Sequence, residues 1–214
     1  MKIDLHAPLL SGNEIKYVKK CITTTWLSSA GNYVKQFEKR LTFYTKSNFV
    51  VSCINATTAL QVALRLLGLK PNHEVIVPTI TFIAPINAIN YCSAKPIFMD
   101  VDKYGNIDTK KTIEFLKNNT IFKNKKTYNK KTKKIISILV VVHVFGNPVY
   151  LDEIVNFCKK RNIKILEDAS ESLGSFYNKG KFKEKHTGTI GDLGCISFNI
   201  NKIITSGGGG AILC

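Results

Sequence analysis

The sequence predicts an α/β fold built on a largely parallel sheet. Two observations carry this. Short apolar runs alternate along the chain with amphipathic stretches of helical spacing. The longest apolar run, Ile135–Val142, is continuous and largely β-branched, the mark of a strand covered on both faces.

The elements follow in order. Phe49–Ile54 reads as a buried strand, and Thr57–Leu67 as a helix stopped at Gly68. Glu74–Val77 is a short strand ended by Pro78, and Phe82–Tyr91 a helix in which Pro85 is tolerable only in the first turn. Pro96–Val101 is a strand and Thr109–Lys117 a helix. After the Ile135–Val142 strand come a helix over Asp152–Arg161 and strands over Lys164–Glu167 and Gly194–Phe198. No internal repeat is visible.

Composition narrows the class. With 214 residues, 44% hydrophobic and 21% charged, the chain is neither disordered, collagen-like nor a disulfide miniprotein. Its net charge of +16 first suggests a nucleic-acid or anionic partner. However, only Arg40, Arg65 and Arg161 among the 31 basic residues are arginines, the side chain that reads phosphate forks and guanine edges. The charge is also local. Lys103 to Lys134 holds eleven lysines against Asp108 and Glu114, a net +9. Its densest part, Lys123 to Lys134, reads either as a solvated loop or hairpin, or as a phosphate-binding patch for a nucleotide-linked ligand. Cys21, Cys53, Cys92, Cys158, Cys195 and Cys214 show no metal spacing and are expected to be reduced. The N-terminus makes a poor signal peptide and no run could span a bilayer, so a cytoplasmic location is expected.

In parallel sheets ligands bind at the carboxyl ends of strands, so the residues there are the candidates. Asn55-Ala56-Thr57-Thr58 opens a helix and is either a phosphate site or an ordinary cap. Glu167 and Asp168 end a strand side by side, and alternation points them to opposite faces. An acid there holds a cation, a ribose hydroxyl or a protonated ring nitrogen, or it caps the next turn. Lys202 follows a strand and precedes four glycines. A partly desolvated lysine attacks carbonyls to form a Schiff base, whereas an isolated one is usually just solvated. His143 reads as structural.

Asp168, Ser197, Lys202 and the glycine run, in this order and spacing, resemble the DegT/DnrJ/EryC1/StrS family of sugar aminotransferases dependent on pyridoxal 5′-phosphate (PLP). The likeness runs through WLSSAGNYVKQFE (26–38), NATTAL (55–60), PTITFIAPINAI (78–89), VVHVFG (141–146), EDASESLGS (167–175), HTGTIGDLGCISFN (186–199) and NKIITSGGGG (201–210). TIFKNKKTYNKKTKK (120–134) and the end of EDASESLGS look most like the LegC branch.

The resemblance implies a type I (aspartate aminotransferase-like) large domain over 36–214, with helices on both faces of the sheet. An N-terminal arm and substrate loop would occupy 1–35. It makes Lys202 the catalytic lysine that binds PLP covalently and shuttles protons. Asp168 would partner the ring nitrogen, Phe82 stack on the ring, and Ala56, Thr57 and Ser197 cradle the phosphate. Glu171 would lie near the ring hydroxyl, and Trp26, Leu27 and Ser28 would approach the substrate. Relatives that dehydrate sugars carry histidine in place of the lysine.

The implied reaction moves an amino group from glutamate to a UDP-linked 4-keto-6-deoxy amino sugar of the legionaminic acid or bacillosamine type, in a homodimer. Family members continue well past the position of Cys214, so the resemblance implies a C-terminally truncated member lacking the small domain. An inactive remnant that binds PLP or a partner subunit is the alternative reading. A nucleic-acid-binding protein is the competing class. Two positions depart from the family: Ala56 stands where glycine is usual, and Ile200 stands in a stretch that commonly has glycine. A β-branched residue is costly at positive φ, so an altered backbone is expected at 200.

Overall fold

The computed structural model describes residues 7–214. Two helices come first, α1 (Glu14–Thr23) and α2 (Asn32–Thr45). The alternating part follows: β1 (Val50–Cys53), α3 (Ala56–Leu66), β2 (Glu74–Pro78), α4 (Ile83–Tyr91), β3 (Lys95–Met99) and α5 (Thr109–Asn118). A hairpin, β4 (Thr120–Lys123) and β5 (Lys126–Asn129), leads into β6 (Ile135–Val142). Then come α6 (Ile154–Lys160), β7 (Lys164–Asp168), β8 (Leu193–Ser197) and β9 (Gly210–Leu213).

The sheet runs β1-β9-β8-β7-β6-β2-β3. The β2–β3, β2–β6, β6–β7 and β7–β8 pairs are parallel. β9 is antiparallel to both β1 and β8, which leaves β1 running with the rest. All the strands except β9 in this order therefore point their carboxyl ends to one edge of the sheet, and that convergence builds the site.

Alternate residues of the strands feed opposite faces. Val75, Val77, Ile138, Val140, Leu166, Cys195 and Ile212 pack with Ala59, Leu60, Ala63 and Leu64 of α3 and with Ala88 and Ile89 of α4. On the other face Ile76, Ile136, Leu139, Val141 and Ile165 meet Leu116 of α5 and Ile154 and Cys158 of α6. A third cluster joins Leu41 of α2 to Val50, Ile196, Ala211 and Leu213. β6 is buried along its last five residues, as its unbroken apolar run requires.

The expected elements are present with ends displaced by one or two residues. α6 starts later than the spacing predicts, because Asp152 turns away and its carboxylate accepts the Lys181 N–H. α1 and α2 have no counterpart in the sequence reading. α1 buries nothing, its apolar stripe of Ile15, Val18 and Ile22 standing exposed, and α2 buries only Leu41 and Thr45. Pro85 sits in the first turn of α4, as expected.

The lysine-rich segment is the β4–β5 hairpin, turned at Asn124 and Lys125, both with positive φ. β5 pairs with Ile135 and Ile136, the first residues of β6. At about 3.3 Å per residue, the carboxyl end of β6 lies some 25 Å away. The hairpin therefore does not reach the strand-end cavity described below.

One glycine closes the strand-end edge. A Cβ on Gly194 would land on the Gly188 carbonyl, with backbone rather than a movable side chain as its neighbour. Gly194→Ala is expected to destabilise the chain by about 3 kcal/mol or more, read from the urea midpoint.

Candidate functional site

A cavity of about 490 Å³ opens at the carboxyl edge of the sheet. Its wall comes from five separate segments: Asn55–Thr57, Ile80–Ala84, Val142–Phe145, Asp168–Glu171, and Ser197 to Lys202. Each directly follows a strand that ends at this edge, so the strand-end candidates Asn55–Thr57, Asp168 and Lys202 are brought together.

The first wall is the start of α3. The Asn55 side chain accepts from the Thr58 N–H at 2.8 Å and caps the helix. The N–H groups of Ala56 and Thr57 open the helix against the cavity, where an anion is favoured. Gly210 makes this approach possible, because a Cβ there would stand 2.6 Å from the Ala56 nitrogen. Gly209, at φ +116°, bridges to Asn55 in a conformation that side chains rarely adopt. The glycine run is thus a close-packing device between β8, β9 and the α3 N-terminus.

The floor is Asp168, 4% exposed. Its Oδ1 accepts from the Ser170 N–H at 3.1 Å. Burial raises its carboxyl above the usual range, against the pull of Ser170, His143 and Lys202. Glu167, next to it, behaves differently. It is wholly buried, and burial opposes its charge, but the His143 hydrogen bond and backbone N–H groups win and hold it below the usual range. The two acids divide as alternation requires: Asp168 lines the cavity, while Glu167 faces the 188–191 turn.

The Lys202 Nζ lies 3.0 Å from Glu171 Oε1, and Glu171 Oε2 accepts from the Phe145 N–H at 3.2 Å. Phe145 itself sits at φ 49°, a strained angle for a bulky residue at the cavity rim. Phe82 caps α4, and its ring stays exposed at the cavity mouth. Ile200 is absent from the residues with positive φ, so it avoids the conformation that a β-branched residue would find costly.

Of the residues expected at the site, Ala56, Thr57, Phe82, Asp168, Glu171, Ser197 and Lys202 all line this one cavity. Trp26, Leu27 and Ser28 do not; they line a separate hollow between α1 and α2. Sequence reasoning missed Thr81, whose Oγ1 is buried in the wall without a hydrogen-bond partner. It also missed the pairing of His143 with Glu167, though the adjacent acids at 167 and 168 were its visible signal. Among the described residues no cluster of His, Cys, Asp or Glu could hold a metal ion, and no helix is long and apolar enough to cross a membrane.

These features fit a small, flat, phosphorylated ligand with a basic ring nitrogen. A buried carboxylate faces the cavity, a helix start is held by a glycine cradle, an amine lies within the wall, and one hydroxyl lacks a partner.

Residues 8–214 match the DegT/DnrJ/EryC1/StrS aminotransferase family. GDP-perosamine synthase of Escherichia coli O157:H7 is 36% identical over 99% of this chain and 52% of its own length. UDP-4-amino-4,6-dideoxy-N-acetyl-beta-L-altrosamine transaminase of Campylobacter jejuni is 36% identical over 86% of this chain and 44% of its own. Among solved structures, E. coli GDP-4-keto-6-deoxy-D-mannose-3-dehydratase with bound hydrated PLP superposes with a TM-score of 0.77 at 25% identity, covering 97% of this chain and 51% of that one. The chain spans about half the length of the relatives it matches.

The raised carboxyl of Asp168 carries a stability consequence. A group raised on folding stabilises below its unfolded pKa and loses that contribution as pH rises through its folded value. Above its raised folded pKa the ionised Asp168 therefore costs stability unless a cation sits against it. Asp168→Asn keeps the acceptor for Ser170. It is expected to raise the melting midpoint of the PLP-free chain at pH 7, with the gain fading as pH falls into the carboxylate range. The same substitution is expected to weaken PLP binding. Calorimetry over pH, with and without PLP, checks both.

Proposed function

The chain belongs to the DegT/DnrJ/EryC1/StrS aminotransferase family, and from that premise we propose that it carries the cofactor site of a PLP-dependent nucleotide-sugar aminotransferase. One observation supports this most: an amine, Lys202 Nζ, and a buried carboxylate, Asp168, line one cavity whose wall is a helix N-terminus.

PLP, when bound, supplies an aldehyde for amine exchange and a ring that accepts electrons. The protein supplies the rest. Lys202 would be the amine that bonds the cofactor and, once released, would carry a proton at Nζ between the amine-bearing carbon and the cofactor's 4′ carbon. Asp168 holds the proton on the ring nitrogen, and the ring's positive charge repays the burial of its carboxylate. Ala56, Thr57 and Ser197 receive the phosphate, and Phe82 covers one ring face. Glu171, already bonded to Lys202, lies where it can hold that lysine when it is released. A lysine at 202 rather than a histidine favours amination over dehydration. Glutamate is the proposed donor, and a homodimer of the full-length protein the proposed assembly.

For the acceptor we infer a nucleotide-linked keto sugar. The narrower reading, a UDP-linked 4-keto-6-deoxy amino sugar, rested partly on the 120–134 segment. That segment forms the hairpin at the opposite end of the sheet, so it offers this reading no contact with the acceptor. A GDP-linked sugar stands as the second reading, favoured by GDP-perosamine synthases among the relatives that align with 99% of the chain.

Mixing the chain with PLP is expected to produce a visible absorbance band that Lys202→Ala abolishes. Glutamate should then bleach it, and a UDP- or GDP-linked 4-keto sugar should restore it. A chain that forms no lysine-dependent band refutes the cofactor site. A band that glutamate cannot bleach leaves binding without transfer and favours the remnant reading.

A further inference from the structure

The Glu167 carboxylate is a fully occupied acceptor. Oε2 takes His143 Nε2 at 2.8 Å and the Gly188 N–H at 2.9 Å, while Oε1 takes the Ile190 N–H at 2.6 Å and the Gly191 N–H at 2.5 Å. On the other side of the imidazole, Nδ1 accepts from the Val149 N–H at 3.1 Å. An Nδ1 that accepts must keep its lone pair, so in the neutral ring the proton resides on Nε2 and points at Glu167. Both side chains are completely buried. The tautomer and the ring orientation are thereby set from two directions.

This pair is wired to the cavity floor. The His143 main-chain N–H donates to the Asp168 carbonyl at 3.1 Å, and the Ala169 N–H to the Cys195 carbonyl at 2.8 Å. Asp168 is thus clamped between the ends of β6 and β8. Its carboxylate projects into the same cavity that His143 lines. Glycine at 188, 191 and 194 makes the anion hole possible. A Cβ at 191 would stand 2.8 Å from the Ile165 carbonyl, and one at 194 would hit Gly188.

We propose that Glu167 and His143 are positioning residues for the cofactor reaction: together they aim Asp168 at the ring nitrogen and place a second buried negative charge behind it. Neither touches the substrate or the cofactor in this proposal. The inference rests on the proposed cofactor site but adds a claim of its own, that residues 167 and 168 act as a unit.

A double-mutant cycle tests it. Glu167→Gln, Asp168→Asn and the pair are compared for PLP dissociation constant and for the pH midpoint of the visible band. The expected result is a Glu167→Gln loss of PLP affinity of roughly tenfold or more, strongly non-additive with Asp168→Asn. The band midpoint is expected to move to lower pH, because a negative charge that stabilised the cationic form is gone. Circular dichroism and melting of the PLP-free variants report folding separately. If Glu167→Gln does not fold, His143→Gln takes its place in the cycle for the affinity readout alone, because it leaves the Glu167 charge in place. Additive losses in either folded variant, or an unmoved pH midpoint in a folded Glu167→Gln, would overturn the proposal and leave Glu167 a purely structural anchor. Absence of any lysine-dependent band in the unsubstituted chain would instead strike the cofactor reading itself.

Discussion

The buried carboxylate of Glu167 is the contact on which the strand-end architecture depends. Four N–H donors converge on its two oxygens, from the His143 ring and from the turn over 188–191. An ionised group with no exposure costs several kcal/mol unless each lone pair is met, and here they are met. Withdrawing the carboxylate would leave three backbone donors and the His143 Nε2–H without their acceptor. Glu167 therefore does more than join two loops: it makes one arrangement of the β6, β7 and β8 ends far better than any other.

That single arrangement allows a cavity to be assembled from segments distant in sequence. Asn55 and Lys202 are separated by most of the chain, yet they face the same space because β1 and β8 end at the same edge. β9 runs back between them, and its opening glycines let the α3 N-terminus come down to the floor. The site then holds charges in tension. Asp168 is buried beyond what its own hydrogen bonds repay, and Lys202 leans on Glu171. A stability cost placed at one cavity, next to a strained Phe145, is what a binding site shows when its ligand supplies the missing partner.

Much of this was legible in the residues. Strands buried on both faces announce themselves as unbroken apolar runs, so β2 and β6 could be seen. So could α3, whose apolar stripe begins at a cap and ends at Gly68. The candidate residues could be seen because in a parallel sheet chemistry collects at carboxyl ends. The N-terminal helices do carry a periodic trace, Ile15, Val18 and Ile22 on α1 and Val34, Phe37, Leu41 and Tyr44 on α2, but sequence reasoning missed it, and on α1 that stripe stands exposed rather than in the core. The lysine-rich segment forms a hairpin, one of its two expected readings, but its place was not legible. Charge density shows in sequence, but which end of the sheet it occupies does not, and β5 pairs with the far end of β6.

The sequence by itself determined the α/β class and the order of most strands and helices along the chain, which follow from local periodicity and turn chemistry. It also pointed to many of the residues that line the cavity, some by their place at strand ends and others only through the family resemblance. The tertiary structure decided what depends on separations of tens of residues in three dimensions. It set β9 antiparallel within the sheet, moved the basic hairpin to the opposite pole and placed Trp26–Ser28 in a hollow of their own. Most of all, it decided the separate fates of Glu167 and Asp168. They are neighbours of the same charge type, yet one is quenched by four donors and the other left facing the cavity. Only the packing of three strand ends determines which donors arrive at which oxygen.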